Sequence, residues 1–242
     1  HFMNKNSMLR LRRKHIGLNK KIVWAVASIG MSPFFIQVAA SIVVFFINNN
    51  LKTYGGNIAI EAYAIANTLI MIIVMIMVGL TQGMQPIVGY NFGAQKIDRV
   101  KQTLKLGIIS GVVITSSGFL ICEFFPHAVS AVFTDSDELI GLAVDGLRLT
   151  VLMFPFVGAQ IVIGNFFQSI GKVKISIFLS LTRQLLYLLP CLLLFPHWWG
   201  LKGIWISLPV SDSLAFITAV ISLMIYIKKV SKEHPIADKV AE

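Results

Sequence analysis

Residues 58–89 read IAIEAYAIANTLIMIIVMIMVGLTQGMQPIVG, and their hydropathy decides the fold. Glu61, near the start, is the only charged residue in the stretch, and Ile, Val, Met and Leu dominate the rest. A helix needs about 20 apolar residues to cross a bilayer, so this run spans it with tilt or with extension beyond the lipid. Runs of similar character flank it near Ile22 to Asn48, Leu104 to Phe125, Leu139 to Ile170, Val173 to Phe195 and Ile204 to Ile227. The chain is 56% hydrophobic and 13% charged, against roughly a quarter charged in a soluble domain. Its mean hydropathy is +0.77. The expected fold is all-α, a polytopic bundle of six transmembrane helices.

A net charge of +10 could point to nucleic acid, but the distribution of the charges along this map argues otherwise. Lys5, Arg10, Arg12, Arg13, Lys14, Lys20 and Lys21 precede the first span, and Lys96, Arg99, Lys101 and Lys105 lie between the second and third. Lys172 and Lys174 separate the fourth from the fifth, and Lys228, Lys229, Lys232 and Lys239 follow the sixth. Little beyond Lys52 and Lys202 falls in the alternate loops. The positive-inside bias therefore places these basic segments and both termini in the cytoplasm of a multi-pass cell-membrane protein. An odd number of spans would destroy the alternation. The organisation expected is a basic cytoplasmic linker over 1–21, one transmembrane lobe over 22–227, and a cytoplasmic tail over 228–242.

Cys122 and Cys191 sit in or beside apolar runs and read as small buried hydrophobes, with no spacing for zinc or a disulfide framework. The basic N-terminal stretch precedes an apolar segment too long for a signal peptide, so that segment stays in place as a helix. No Ser/His/Asp set, metal-ligand cluster or phosphate-binding Gly loop converges on one face, so neither an enzyme nor a metal site is expected. A faint internal echo joins QPIVGYNFGAQKI from Gln85 with QIVIGNFFQSIGKVKI from Gln160, two helix exits that combine amides, Gly and a basic turn.

Polar residues within the spans carry the functional signal. Asn67, Met71, Met75, Val78, Gln82 and Gln85 advance by three or four residues and share one helical stripe. Gly30, Gln37, Ser41, Val44 and Asn48 do the same on the first span, and Met153, Phe156, Gln160, Gly164 and Phe167 on the fourth. Such stripes suit helix–helix contacts, where small residues allow close approach and amides hydrogen-bond across the interface. They equally suit the wall of a cavity for flexible apolar or cationic ligands, with Gln37, Ser41, Asn67, Met71, Met75, Gln82, Phe156 and Gln160 as its candidate lining. Arg183 and Asp212 lie deep in the fifth and sixth spans, where an isolated charge is costly. They read as an interhelical ion pair, with a protonatable coupling site at Asp212 as the alternative. Pro33, Pro86, Pro155, Pro190 and Pro209 all interrupt spans, as in proteins that bend or rock helices.

The stretch GLTQGMQPIVGYNFGAQKIDRVK from Gly79, preceded by YGGNIAIEAYAI from Tyr54, resembles the eighth helix and following loop of multidrug and toxic compound extrusion (MATE) transporters. RQLLYLLPCLLLFPHWWGLKGIWISLPVSD from Arg183 is similar to their eleventh and twelfth helices, particularly in the MepA-like branch. The resemblance implies the C-terminal one of two six-helix lobes around a central cavity, exporting drugs or metabolites by alternating access on a sodium or proton gradient. It implies as partners the bilayer, the small-molecule substrate, and an N-terminal lobe or a second copy, with no nucleic acid; the chain is thus expected to be a fragment or a half-transporter. Sodium-coupled relatives carry acidic residues in their seventh and tenth helices, where this chain has Gln37 and the Phe156 to Gln160 region. The coupling ion, Na+ or H+, is therefore expected to bind mainly in the first lobe, with no other cofactor. A lipid-linked sugar flippase of the same superfamily is the nearest alternative; Arg183 is its only candidate for meeting a pyrophosphate. A membrane scaffold subunit with no transported substrate is the alternative from another class.

Overall fold

A computed structural model describes residues 20–233. The regular elements among them are helical: α1 (Lys20–Gly93), α2 (Ile97–Phe124), α3 (Pro126–Ala131), α4 (Asp137–Val151), α5 (Phe154–Ser169), α6 (Val173–Leu181), a π-helical segment (Thr182–Leu188), α7 (Leu189–Trp199) and α8 (Leu201–Glu233). Lipid offers the backbone no hydrogen-bond partner, so a chain this apolar must satisfy its peptide groups within each segment. Most of the expected basic linker, residues 1–19, and the tail over 234–242 lie outside the described residues.

Of the described residues, 20–38 and 39–233 belong to separate units. The described part of the first, 20–38, is helical, with Trp24 and Phe34 exposed. Ile36–Gly93, Ile97–Phe124, Val173–Trp199 and Leu201–Lys229 are each long and apolar enough to cross a membrane, and the bent pair Asp137–Val151 with Phe154–Ser169 makes a fifth candidate. Ile36–Gly93 has 58 residues. A straight helix of that length would extend about 87 Å, nearly three times the hydrocarbon thickness, so it holds more than one crossing. It is broken at Gly56, whose φ of 68° and ψ of −164° lie where only glycine is at ease. Each arm is long enough for one crossing, so that by length and composition the described residues hold up to six.

Two large apolar clusters, and a small one of Ala62 and Ile65 with Leu139 and Ala143, hold the second unit together. One joins Val43, Ile47 and Leu51 before Gly56, and Ala66 and Leu69 after it, to Leu147, Phe154, Leu192 and Trp205. The other joins Met77, Met84 and Val88 of α1 to Leu104 of α2, Phe166 and Phe167 of α5, and Ala219 of α8. Between α2 and α5 the backbones approach closely. The buried face of α2 runs Val100, Leu104, Gly107, Gly111, Thr115, Gly118, Cys122, in steps of three or four residues. Small side chains there let the backbones meet, and a β-carbon placed on Gly158 of α5 would collide with the Gly111 carbonyl and the Thr115 hydroxyl.

Proline places two of the irregularities. The expected fourth span, Leu139 to Ile170, is two helices bent by 54° at Leu152 and Met153, because Pro155 occupies the first turn of α5 and cannot donate back into α4. The expected fifth span contains the π segment, where the Leu189 N–H donates to the Gln184 carbonyl five residues back, directly before Pro190. The sequence echo has a structural counterpart. α1 exits with Gln95 at φ 59° and a Lys96 N–H to Asn91 carbonyl bond of 2.9 Å; α5 exits with Gly171 at φ 75° and a Lys172 N–H to Phe167 carbonyl bond of 2.8 Å. Both are the same six-residue helix-closing turn, and both hand a lysine to the next element.

Candidate functional site

The arm 57–93 has two faces. Ala59, Ala62, Ala66, Leu69, Met77, Thr81, Met84 and Val88 are buried and supply the packed side. The stripe picked out by polarity lies away from them: Asn67 is half-buried, Met71 is 54% and Met75 75% exposed, and Val78, Gln82 and Gln85 are exposed. On the arm 39–55 the division repeats, with Ala39, Val43, Ile47 and Leu51 buried and Ser41, Val44 and Asn48 exposed. Gln37, in the first unit, is exposed. An exposed stripe that mixes amides with thioethers offers hydrogen bonds and polarizable, rotatable contacts to one ligand.

The stripe on the fourth span is placed differently. Phe156 is 47% exposed and packs against Phe216 with ring centroids 5.1 Å apart. Gln160 is 9% exposed, and its Oε1 is buried without a hydrogen-bond partner among the described residues. Phe167 is fully buried against Phe166 and Tyr226. Spacing alone grouped these three, but close packing around α5 takes in Gln160 and Phe167. Only Phe156 stands clear among them.

The two intramembrane charges meet. Arg183 Nε donates to Asp212 Oδ1 at 2.7 Å, joining the π segment to α8. The Asp212 side chain is 6% exposed and that of Arg183 37%. One turn along, Tyr187 Oη and Thr218 Oγ1 lie 2.7 Å apart, and on either side of Arg183 the buried Thr182 Oγ1 and Gln184 Oε1 have no partner among the described residues. Polarity at Thr182, Gln184, Tyr187 and Thr218 was not among the expectations drawn from the sequence. The clustering of Thr182, Gln184 and Tyr187 about Arg183 inside an apolar run was the signal that could have found those three. The second charge pair, Arg148 with Glu123 at 3.8 Å, is solvent-exposed on both sides and is worth little.

Of the candidate cavity residues in the second unit, Ser41, Met71, Met75 and Gln82 on α1 and Phe156 on α5 are exposed, Asn67 is half-buried and Gln160 is buried, while Arg183 and Asp212 form a separate charge pair between the π segment and α8. The chain matches the MatE family over residues 30–193. It is 26% identical over 214 residues to the multidrug export protein MepA of Staphylococcus haemolyticus, covering 88% of this chain and 47% of that one. The structure of the MATE multidrug transporter DinF-BH is 34% identical with a TM-score of 0.77, over 90% of this chain and 49% of that chain. A multidrug resistance MATE family transporter of the MOP superfamily matches in its outward-facing conformation at TM-score 0.82 and 20% identity, and in its inward-facing conformation at 0.83 and 19%. Each covers 96% of this chain; the matched portions are 52% and 54% of theirs. The chain spans about half the length of the curated relatives it matches.

Proposed function

The chain belongs to the MatE family of membrane transporters and is not an enzyme, and from that premise we propose that it forms the second six-helix lobe of a multidrug efflux antiporter. The observation that carries this reading is the stripe of exposed Met71, Met75 and Gln82 with half-buried Asn67, on a face of α1 turned away from its packed one. With Ser41 and Phe156 it lines half of a central cavity. An N-terminal lobe, or a second copy of this chain, supplies the other half. Met side chains reshape around varied flat or cationic molecules, so binding is broad and weak rather than tight and specific.

Alternating access moves this lobe largely as a body. Its fold matches the outward- and inward-facing forms of one class of relative about equally well, which supports rocking of lobes over rearrangement within them. Coupling to sodium or protons falls mainly to the first lobe, because Gln37 and the 156–160 region offer no carboxylate. Asp212 is left with a structural role through its bond to Arg183. That bond also weakens the flippase alternative, since the cation needed to meet a pyrophosphate is already matched by a carboxylate.

Replacing Met71 and Met75 with Ala in the complete transporter is expected to cut resistance to some compounds several-fold while leaving others near wild type at equal membrane abundance. Uniform loss across unrelated compounds would indicate damaged packing, and no loss for any compound would remove the stripe from the cavity. The expected orientation, with both termini cytoplasmic, has its own check. Single cysteines at Gln95 and Ser231 should react with an impermeant thiol reagent only from the cytoplasm, and one at Asn57 only from outside. Labelling of Asn57 and Gln95 from the same side would overturn the charge-based map.

A further inference from the structure

A groove of about 430 Å³ lies between the start of α2, α5 and the end of α8, apart from every candidate cavity residue. Leu104 and Ile108 form one wall, Leu223 another, and Phe166 the floor. The floor is preformed: Phe166 is buried, and its ring packs edge-on against Phe167 and Tyr226 at 5.7 and 6.1 Å. Along the open side Ile109 and Ile227 are 49% and 41% exposed. Lys101 and Lys105 belong to the lining, one helical turn apart on the same face of α2.

The position of those lysines fixes what the groove can hold. α2 has 28 residues, about 42 Å, whereas the hydrocarbon core takes only about 20 of them. The apolar run begins at Leu104, so Lys101 and Lys105 sit at the headgroup level while Ile108 and Ile109 sit among acyl chains. We propose that the groove binds an anionic phospholipid, with one acyl chain along Leu104, Ile108 and Leu223 and the phosphate between Lys101 and Lys105. Two ammonium groups in the lining disfavour a cationic drug there. The basic stretch over 1–21 is disfavoured by the same charge. A phospholipid combines a long apolar body with a negative head at this depth.

The test uses the complete protein in lipid nanodiscs containing a photoreactive diazirine on the acyl chain of either phosphatidylglycerol or phosphatidylcholine at equal mole fraction. The expected result is adducts on peptides covering 104–109 and 223–227, several-fold more abundant with phosphatidylglycerol. Lys101→Gln and Lys105→Gln should each lower the phosphatidylglycerol adduct about fivefold and leave the phosphatidylcholine adduct unchanged. Ile109→Trp, which fills the open side, should lower both. Equal labelling by the two lipids overturns the headgroup assignment, and displacement of the adduct by inorganic phosphate assigns the lysines to a free anion instead. Labelling elsewhere with none on these peptides overturns the site altogether, since another protein segment then covers the groove.

Discussion

Gly158→Ala is expected to lower the thermal midpoint of the purified protein by about 6–12 °C, and Gly158→Leu to prevent recovery of a monodisperse species. A β-carbon at this position meets the Gly111 carbonyl oxygen and the Thr115 hydroxyl, which itself bonds that carbonyl at 2.9 Å. These are backbone and backbone-anchored atoms, so α2 and α5 can accept the methyl only by separating along their whole contact. Overpacking of this kind costs about 1–3 kcal/mol for small insertions and more where the backbone must move. At roughly 2–4 °C per kcal/mol for a chain of this size, a cost near 3 kcal/mol gives the shift stated. Gly164→Ala on the same helix is the control, because nothing lies within 4 Å of a β-carbon there. A Gly158→Ala protein as stable as Gly164→Ala would show that α2 and α5 do not meet as described.

Removal of Arg183 is expected to cost far more than removal of Asp212, although they are two ends of one bond. Arg183→Leu leaves a carboxylate that is only 6% exposed without its 2.7 Å donor. Breaking a buried pair in this way costs about 3–5 kcal/mol. Asp212→Leu leaves Arg183, whose longer and less buried side chain, 37% exposed, can carry its charge toward the interface more readily than a buried carboxylate can, so a smaller loss of about 1–2 kcal/mol is expected. The double Leu variant should recover most of the stability, since it leaves no charge behind. Thermal midpoints of the four proteins measure the order. Efflux measured in parallel separates the two roles: a stable double variant that still transports confirms a structural pair, whereas a stable one that does not would give Asp212 to coupling.

The limits of what could be read from the sequence come from the effect of lipid on residue patterning. Most spans were legible because a bilayer demands length and apolarity, and Lys96 and Lys172 fall at breaks between helices, but the first expected span, Ile22 to Asn48, differs from the candidate that begins at Ile36 and breaks at Gly56. The bend before α5 was foreshadowed by Pro155, and the π segment by Pro190, although neither residue alone states the angle or the extra turn width. Sidedness was harder. In water an apolar face marks the core, but in a membrane Ile and Leu face lipid and protein alike, so Gln160 and Phe167 were grouped with the exposed Phe156 by spacing alone. The close contact of α2 with α5 was signalled by small residues, not polar ones: Gly107, Gly111, Thr115 and Gly118 mark the buried face of α2. The pairing of Tyr187 with Thr218 was out of reach, since it depends on the register of two helices against each other.

The π segment has a bearing on how relatives of this chain are compared. A turn closed five residues back in place of four accommodates one residue more than the α-helix around it. That residue turns everything downstream by about 100° and advances it by about 1.5 Å. Faces assigned by counting from Val173 therefore hold only as far as the π segment, and Leu192, Pro196 and Trp199 belong to a wheel of their own. A homologue without the widened turn would align with this chain only through a single-residue gap near Arg183. Placing that gap elsewhere would pair lipid-facing positions with packed ones throughout α7, and substitution patterns drawn from such an alignment would mistake a change of register for a change of chemistry.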